Sequence, residues 1–169
     1  MTLTEIAVIV VVAGVAAGAY VMITRANTSS DFQGAVTPYV VAVDEDAFVE
    51  GDYHREGKVL AIDAGATVLD PAHDRLPVTA RARTDQEVGT VALVRCERRL
   101  VGSYGYSWAK GYAHACNARL LAWPSRRMIA YVTAEASPPS SVRLAMWNHT
   151  AARPSAELAQ RIAALPAPP

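Results

Sequence analysis

The sequence predicts a mainly β protein with one N-terminal transmembrane α-helix, followed by a single antiparallel β-sheet or small barrel domain and a short C-terminal helix. Three observations lead to this fold class: an uncharged run from Ile6 to Ile23, a series of short apolar segments separated by turn residues, and an amphipathic stretch after Pro154. We therefore expect four parts: 1–26 transmembrane anchor, 27–37 linker, 38–165 β-rich soluble domain and 166–169 Pro-rich tail.

The predicted anchor reads IAVIVVVAGVAAGAYVMI, eighteen residues without a charge or a proline. As a helix it would span roughly 27 Å, close to the thickness of the hydrocarbon core of a bilayer. It is apolar on every side, which excludes an amphipathic helix lying on a membrane surface. A secretory signal peptide is the alternative, since Ala17-Gly18-Ala19 could be a cleavage site, but the usual basic n-region is missing.

Small residues within the anchor predict contact with a second transmembrane helix. Gly14 and Gly18 form a GxxxG motif, and Ala13 and Ala17 lie beside them. Small side chains four residues apart let another helix backbone approach closely. The partner helix could belong to a second copy of this chain or to a different subunit, and the sequence leaves both open.

The region after the anchor contains a polar linker at 27–31 and then a succession of strand-like segments. Gly89, Gly102, Gly105 and Gly111 are expected to mark tight connections between strands. The predicted strands are 39–43, 58–63, 78–82, 90–97, 100–106, 112–121, 128–133 and 142–147.

The C-terminal helix is predicted to begin around Pro154 and to stop at Pro166. Leu158, Ile162 and Leu165 follow one another at the i, i+4, i+7 spacing, so that they share one face. That face would cover the sheet.

Composition limits the classes of function. The chain has 16 basic and 16 acidic residues and a formal net charge of zero, so there is no electrostatic reason to expect nucleic acid as a partner. The basic cluster Arg98-Arg99 is too short for a binding tract. The roughly 140 residues after the anchor are enough for one ordinary domain with its own core.

Catalytic motifs are missing from the sequence. It contains no GxSxG, P-loop, GxGxxG or CxxC pattern, and no two histidines have the spacing of a zinc-binding helix. His73 lies between Asp70 and Asp74, which suggests a catalytic triad, but the segment is better interpreted as a polar turn. We therefore predict a protein that is not an enzyme, with no catalytic, cofactor-binding or metal residues and no cofactor.

Cys96 and Cys116 lie twenty residues apart in two separate predicted strands, which a hairpin would bring together. A disulfide there would stabilise the fold by about 3 kcal/mol and would indicate an oxidising compartment. Two buried free thiols are the alternative. Arg25, after the anchor, favours a cytoplasmic domain by the positive-inside rule. From these opposed signals we expect a single-pass membrane protein with an extracytoplasmic domain.

The start Met1-Thr2-Leu3-Thr4-Glu5, followed by an apolar run, resembles the mature N-terminus of a type IV pilin. In that family a glutamate at the fifth position and a long hydrophobic helix serve filament assembly. The resemblance covers about 25 residues and implies a filament subunit, with Glu5 paired to the N-terminus of a neighbouring chain. Thr4 stands where the family usually has an apolar residue. The linker at 27–31, followed by Gly34 and Pro38, would end the helix earlier than in a pilin.

The function that the sequence favours is a non-catalytic accessory subunit of a multi-subunit bacterial membrane complex, with a photosynthetic or respiratory assembly as the first host to consider. Its partners would be other membrane subunits, contacted by the helix and the β domain, and the lipid bilayer. A pilin-like filament subunit and a membrane-anchored binding module are the alternatives. Tyr104, Tyr106 and Trp108 are candidate interface aromatics, whereas Trp147, in an apolar segment, is expected in the core.

Overall fold

The computed structural model describes Tyr39 and residues 54–66, 68–104, 108–141 and 147–167. The predicted anchor, with Gly14, Gly18, Ala13 and Ala17, lies outside these residues, as does the linker. Among the helices that are described, none is both long enough and apolar enough to cross a membrane.

The described chain is mainly β, with one sheet and one short C-terminal helix, as the sequence predicted. The elements, in chain order, are β1 (Lys58–Asp63), β2 (Val68–Leu69), β3 (Val88–Ser103), β4 (Lys110–Ala122), β5 (Met128–Ala136), β6 (His149–Thr150) and α1 (Ser155–Ala163). Two 3-10 helices, His73–Arg75 and Asp85–Glu87, lie in the connection between β2 and β3.

The sheet is mixed rather than antiparallel, which corrects the prediction. Its strands follow the order β2-β1-β3-β4-β5, with β6 paired to β4. The pairs β2–β1, β3–β4 and β4–β5 are antiparallel, whereas β1–β3 and β4–β6 are parallel. Parallel neighbours need a crossover of a dozen or more residues, and residues 64–87 supply it between β1 and β3.

The β3–β4 pair forms a long ribbon at the centre of the sheet. Its strands have 16 and 13 residues and remain paired from Thr90–Ala122 to Ser103–Lys110. The prediction of separate strands at 90–97 and 100–106 was therefore wrong. The arginine pair between them does not interrupt β3, because this part of the strand is exposed to solvent and tolerates charge.

Both faces of the sheet are apolar around β1 and the first half of β3. Val59 and Ala61 face one cluster, and Leu60 and Ile62 face the other. A strand that is buried on both faces reads as a continuous apolar run, which is why β1 was recognisable. The first cluster is covered by α1 and the second includes Tyr39, whose ring packs 4.3 Å from that of Trp123.

The C-terminal helix confirms the predicted apolar face. Leu158 and Ile162 are buried against the sheet and Leu165 packs beside them. The helix ends at Ala163, three residues before the proline that was expected to stop it.

Three other predicted strands have a different outcome. Segment 78–82 is no strand and contributes only an isolated bridge between Val59 and Arg81. Tyr39, the one described residue of 39–43, is helical. Segment 142–147 lies outside the described residues except for Trp147.

Candidate functional site

The two cysteines face each other at the middle of the ribbon. Cys96 of β3 pairs with Cys116 of β4, and their sulfurs are bonded at 2.01 Å. Cys116 is buried, whereas Cys96 is partly exposed. The bond lies two residues beyond Val94, where the pairing of β3 with β1 ends. It therefore fixes the register of the ribbon at the point where β3 leaves its neighbour.

A cluster of charged side chains lies against this disulfide. One nitrogen of Arg153, Nη2, donates to Asp70 Oδ2 at 2.7 Å and lies 3.0 Å from Cys96 Sγ. Both terminal nitrogens of the guanidinium lie 3.3 Å from Asp63 Oδ2. Asp63 ends β1, Asp70 follows β2, and Arg153 precedes α1. One guanidinium thus joins three segments to the edge of β3.

Asp70 is the most buried member of this cluster, with a side chain that is 1% exposed. Burial raises the pKa of the Asp70 carboxyl group above its usual value, although the Ala72 amide and the Arg153 guanidinium act in the opposite direction. The Ala72 N–H donates to Oδ1 at 2.8 Å, so each carboxylate oxygen has a partner. Arg153 Nε is buried without a hydrogen-bond partner among the described residues.

His73 is buried close to the same edge of the sheet. Its Nδ1 accepts a hydrogen bond from the Ala61 N–H at 3.3 Å, so it contacts the backbone of β1. Burial lowers the pKa of His73 to about 4, and the charge of Arg81 adds to this effect. The imidazole is therefore neutral near pH 7, and its Nδ1 serves as a backbone acceptor.

The segment from Asp70 to Asp74 is a turn, as interpreted from the sequence, but it is not a solvated one. Asp70 and His73 are both buried, whereas Pro71 and Asp74 are exposed. Asp70 binds Arg153 and an amide, and His73 binds β1, so the contacts of both residues serve the fold. In the part of the chain that the structure describes, no three His, Cys, Asp or Glu side chains are placed to hold a metal ion.

A second feature is the outer edge of β3 beyond the disulfide. β1 pairs with β3 only as far as Val94, and β3 continues to Ser103. No other described strand pairs with this outer edge of β3. Leu100 and Val101 lie there with about half of their surface exposed, at 51% and 50%. We call residues 95–103 the free edge.

The far end of the ribbon carries two exposed indoles. Trp108, in the connection between β3 and β4, is 98% exposed, and Trp147, just before β6, is 77% exposed. They lie at the same end of the sheet because the Lys110 N–H donates to Asn148 Oδ1 at 2.8 Å and β6 pairs with the start of β4. We call the region of these two tryptophans the tip.

The predicted interface aromatics are only partly brought together. Trp108 is exposed as expected, and Tyr106 lies outside the described residues. Tyr104 is partly buried, with its hydroxyl donating to the Pro139 carbonyl at 2.8 Å and its ring edge-on to that of His149. Trp147 was expected in the core, which is wrong: the strand beside it has two residues, too short to cover the indole.

Sequence patterns did not single out Arg153. Its partners Asp63, Asp70 and Cys96 lie 90, 83 and 57 residues away along the chain. An arginine just before a helix-starting proline is an ordinary surface pattern, so only the tertiary fold shows its role.

Comparisons of the chain with protein-family models, with curated proteins and with solved structures gave no significant match.

Loss of the disulfide should lower the free energy of unfolding. For Cys96→Ala/Cys116→Ala we expect a loss of about 3 kcal/mol, because opening the cross-link restores entropy to the unfolded chain. Urea unfolding of the full chain in detergent, followed by tryptophan fluorescence, measures the change. Chemical reduction of the wild-type chain should shift the urea midpoint in the same direction. A variant as stable as the wild type would contradict a stabilising role for the bond.

Replacement of Arg153 should leave the Asp70 carboxylate buried without its cation. We expect Arg153→Met to cost about 3 kcal/mol of stability, measured by urea unfolding. Arg161→Met is the matched control, because Arg161 binds Glu157 and the Thr133 carbonyl at the exposed surface and should contribute less than about 1 kcal/mol. Adding Asp70→Asn should recover part of the loss. If the two arginine replacements lower the free energy of unfolding equally, the buried ion pair contributes no more to stability than the exposed one.

The lowered pKa of His73 predicts a loss of stability in acid. The unfolded chain binds the proton near pH 6.5 and the folded chain only near pH 4, so stability is full above pH 6.5 and falls as the pH drops towards 4. The total loss is about 3 kcal/mol. The raised pKa of Asp70 opposes this trend, since the folded state binds that proton more readily.

His73→Asn isolates the histidine contribution, because its side-chain oxygen can still accept from the Ala61 amide while it does not titrate. Asp70 is present in both chains and cancels in the difference. The unfolding free energies of the wild type and the variant, measured from pH 4 to 7.5, should differ less at low pH than at neutral pH. Parallel curves would mean that His73 is protonated equally in both states.

Proposed function

We propose that this chain is a non-catalytic accessory subunit of a multi-subunit membrane complex, anchored by the predicted helix at 6–23 and bound to a partner subunit through the free edge. The observation that carries the proposal is the continuation of β3 for nine residues, 95–103, beyond the last residue that β1 covers. A photosynthetic or respiratory assembly is the first host to test.

The free edge supports partner binding because it is already in the bound conformation. Pairing with β4 and the Cys96–Cys116 bond hold it extended on both sides of a bulge at Val101, so that little conformational entropy is lost when a partner strand adds. An exposed edge offers backbone N–H and C=O groups that a second strand can satisfy. Half-exposed Leu100 and Val101 would add side-chain contacts.

Charge on the free edge favours a different subunit over a second copy of the chain. Arg95 and Arg98 are exposed along it, with Glu97 as the one acid among them, whereas Arg99 is paired with Glu135 of β5. Two copies paired edge to edge would bring arginines together, which is a common way to prevent self-association. A partner strand with acidic side chains would be complementary.

The charged groups of the core support a non-catalytic reading. Arg153 binds both Asp63 and Asp70, and His73 contacts the backbone of β1. Each of these contacts holds two segments of the fold together. They are consistent with a rigid scaffold whose function lies at its surface.

Purification tests the proposal. The full chain, tagged and extracted from the membranes of its source in mild detergent, should migrate with other membrane proteins in a fixed ratio. Val101→Asp should release the partner, because it places a charge in the edge contact. Tyr131→Asp is the matched control, since Tyr131 is similarly exposed, at 43%, on β5 at the opposite edge of the sheet.

Two further results separate the alternatives. A homopolymer would favour the pilin-like subunit, which the resemblance around Glu5 suggests, and a lone monomer would favour an anchored binding module and contradict the proposal. Gly14→Leu/Gly18→Leu tests the helix separately: we expect weaker association while the soluble domain remains folded. An intact complex after this change would mean that the helix serves only as an anchor.

A further inference from the structure

We propose that the tip of the ribbon, with Trp108 and Trp147, docks in the headgroup region of the membrane that holds the anchor. This inference rests on the anchored part of the proposed function and adds an orientation to it. The ligand is a lipid surface, and the tip contacts it through two indoles and the ammonium group of Lys110.

The first observation that supports lipid contact is the exposure and position of the two tryptophans. Indoles have an apolar body and one N–H donor, so they are favourable where hydrocarbon meets water and headgroups. Trp108 and Trp147 are the two most exposed large hydrophobic residues of the described chain. They come from segments almost forty residues apart in sequence, and the Lys110–Asn148 hydrogen bond brings these segments together. A single exposed tryptophan is ordinary, but two at one end of a sheet form a patch.

Charge near the tip is the second step. Arg99 is neutralised by Glu135 at 2.8 Å. The Arg98 guanidinium lies over the ring of Tyr112, 4.5 Å from its centre, and Glu97 is its neighbour on β3. Lys110, exposed next to the turn, is therefore the cation left to face anionic headgroups.

The tether permits this arrangement. The predicted span ends at Ile23. Tyr39 packs against Trp123, at the opposite end of the ribbon from the tip, so residues 24–38 connect the span to the domain. A fully extended chain of that length reaches at most about 55 Å, and the 16 residues of β3 are about 50 Å long. The tip can therefore reach the bilayer surface when the tether runs extended along the ribbon.

Docking in this way also fits the partner surface. The strands of the ribbon would stand on the membrane with the tip down, and the free edge would then face sideways. A neighbouring subunit in the same membrane would meet that edge directly. Lipid contact by the tip and strand pairing by the edge therefore do not compete.

The chain contains three tryptophans, which makes the inference testable by fluorescence. Trp123 follows the last residue of β4, at the opposite end of the ribbon from the tip, and packs against Tyr39. The full chain is reconstituted into vesicles of phosphatidylcholine and phosphatidylglycerol, with or without lipids brominated near the headgroup end of the acyl chain. Three variants, each with two tryptophans replaced by phenylalanine, report Trp108, Trp147 and Trp123 separately.

We expect brominated lipid to quench Trp108 and Trp147 and to leave Trp123 unquenched as the internal control. Lys110→Glu should reduce the quenching of Trp108 in anionic vesicles and have less effect in vesicles of phosphatidylcholine alone. Flotation of each variant with the vesicles shows that the chain is inserted, and near-ultraviolet circular dichroism shows that the domain is folded.

Other outcomes overturn the inference in distinguishable ways. A chain that floats but whose Trp108 and Trp147 are not quenched has no lipid contact at the tip, whatever the purification experiment shows. If replacing both tryptophans by alanine also releases the partner subunit, the tip is a protein contact. A chain that does not float with the vesicles overturns both the inference and the predicted anchor. If the purification still gave a stoichiometric complex, the chain would have to be held in it by protein contacts alone.

Discussion

The pairing of β3 with β4 is the constraint on which the described fold depends. Every other described strand except β2 pairs with one of these two, and α1 packs on the face that they share with β5. A shift of one residue in their register would exchange the two faces of β3 and bring the wrong side chains to each core cluster. The Cys96–Cys116 bond prevents such a shift at the middle of the ribbon, where the apolar pattern of β3 gives way to charged residues.

The Arg153 cluster completes this constraint from outside the sheet. Burial of a charged group is unfavourable unless its partners are well placed, and an apolar replacement of a whole buried pair is often neutral. We therefore expect Arg153 to contribute mainly by favouring the native arrangement of the segments that it joins over incorrect ones. Its guanidinium can bind Asp63, Asp70 and the Cys96 sulfur only when β1, the turn after β2 and the segment before α1 all reach one edge. Incorrect arrangements of the crossover would leave Asp70 buried and unpaired.

Local sequence patterns predicted individual strands and the C-terminal helix, but they could not predict contacts between segments that are distant in the sequence. The double-sided apolar run of β1 and the i, i+4 spacing of α1 were sufficient to place both elements. Parallel pairing of β1 with β3 depends on the crossover, which contains two 3-10 helices without an apolar period. Burial of Asp70 and exposure of Trp147 have the same cause, since each depends on segments that are distant in sequence. At the candidate surfaces, Trp108 was predicted, whereas the free edge became visible only once the limit of β1 pairing was known.

The end of the β1–β3 pairing at Val94 links the stability of β3 to its proposed role in binding. Before Val94, β3 has neighbours on both edges and apolar contacts on both faces, so it is fixed by the core. Beyond Cys96 it has β4 on one side and charged or half-exposed side chains along its length, and only the ribbon and its cross-link hold it. A scaffold that binds by strand addition needs both the rigid first half of β3 and its exposed second half. An edge without a rigid base would lose conformational entropy on binding, and a strand paired on both edges would have no unpaired backbone groups for a partner strand. With the tip on the membrane, the partner strand would also have to stand upright near the bilayer surface. That requirement restricts the partner to subunits whose own soluble segments lie close to the same membrane face.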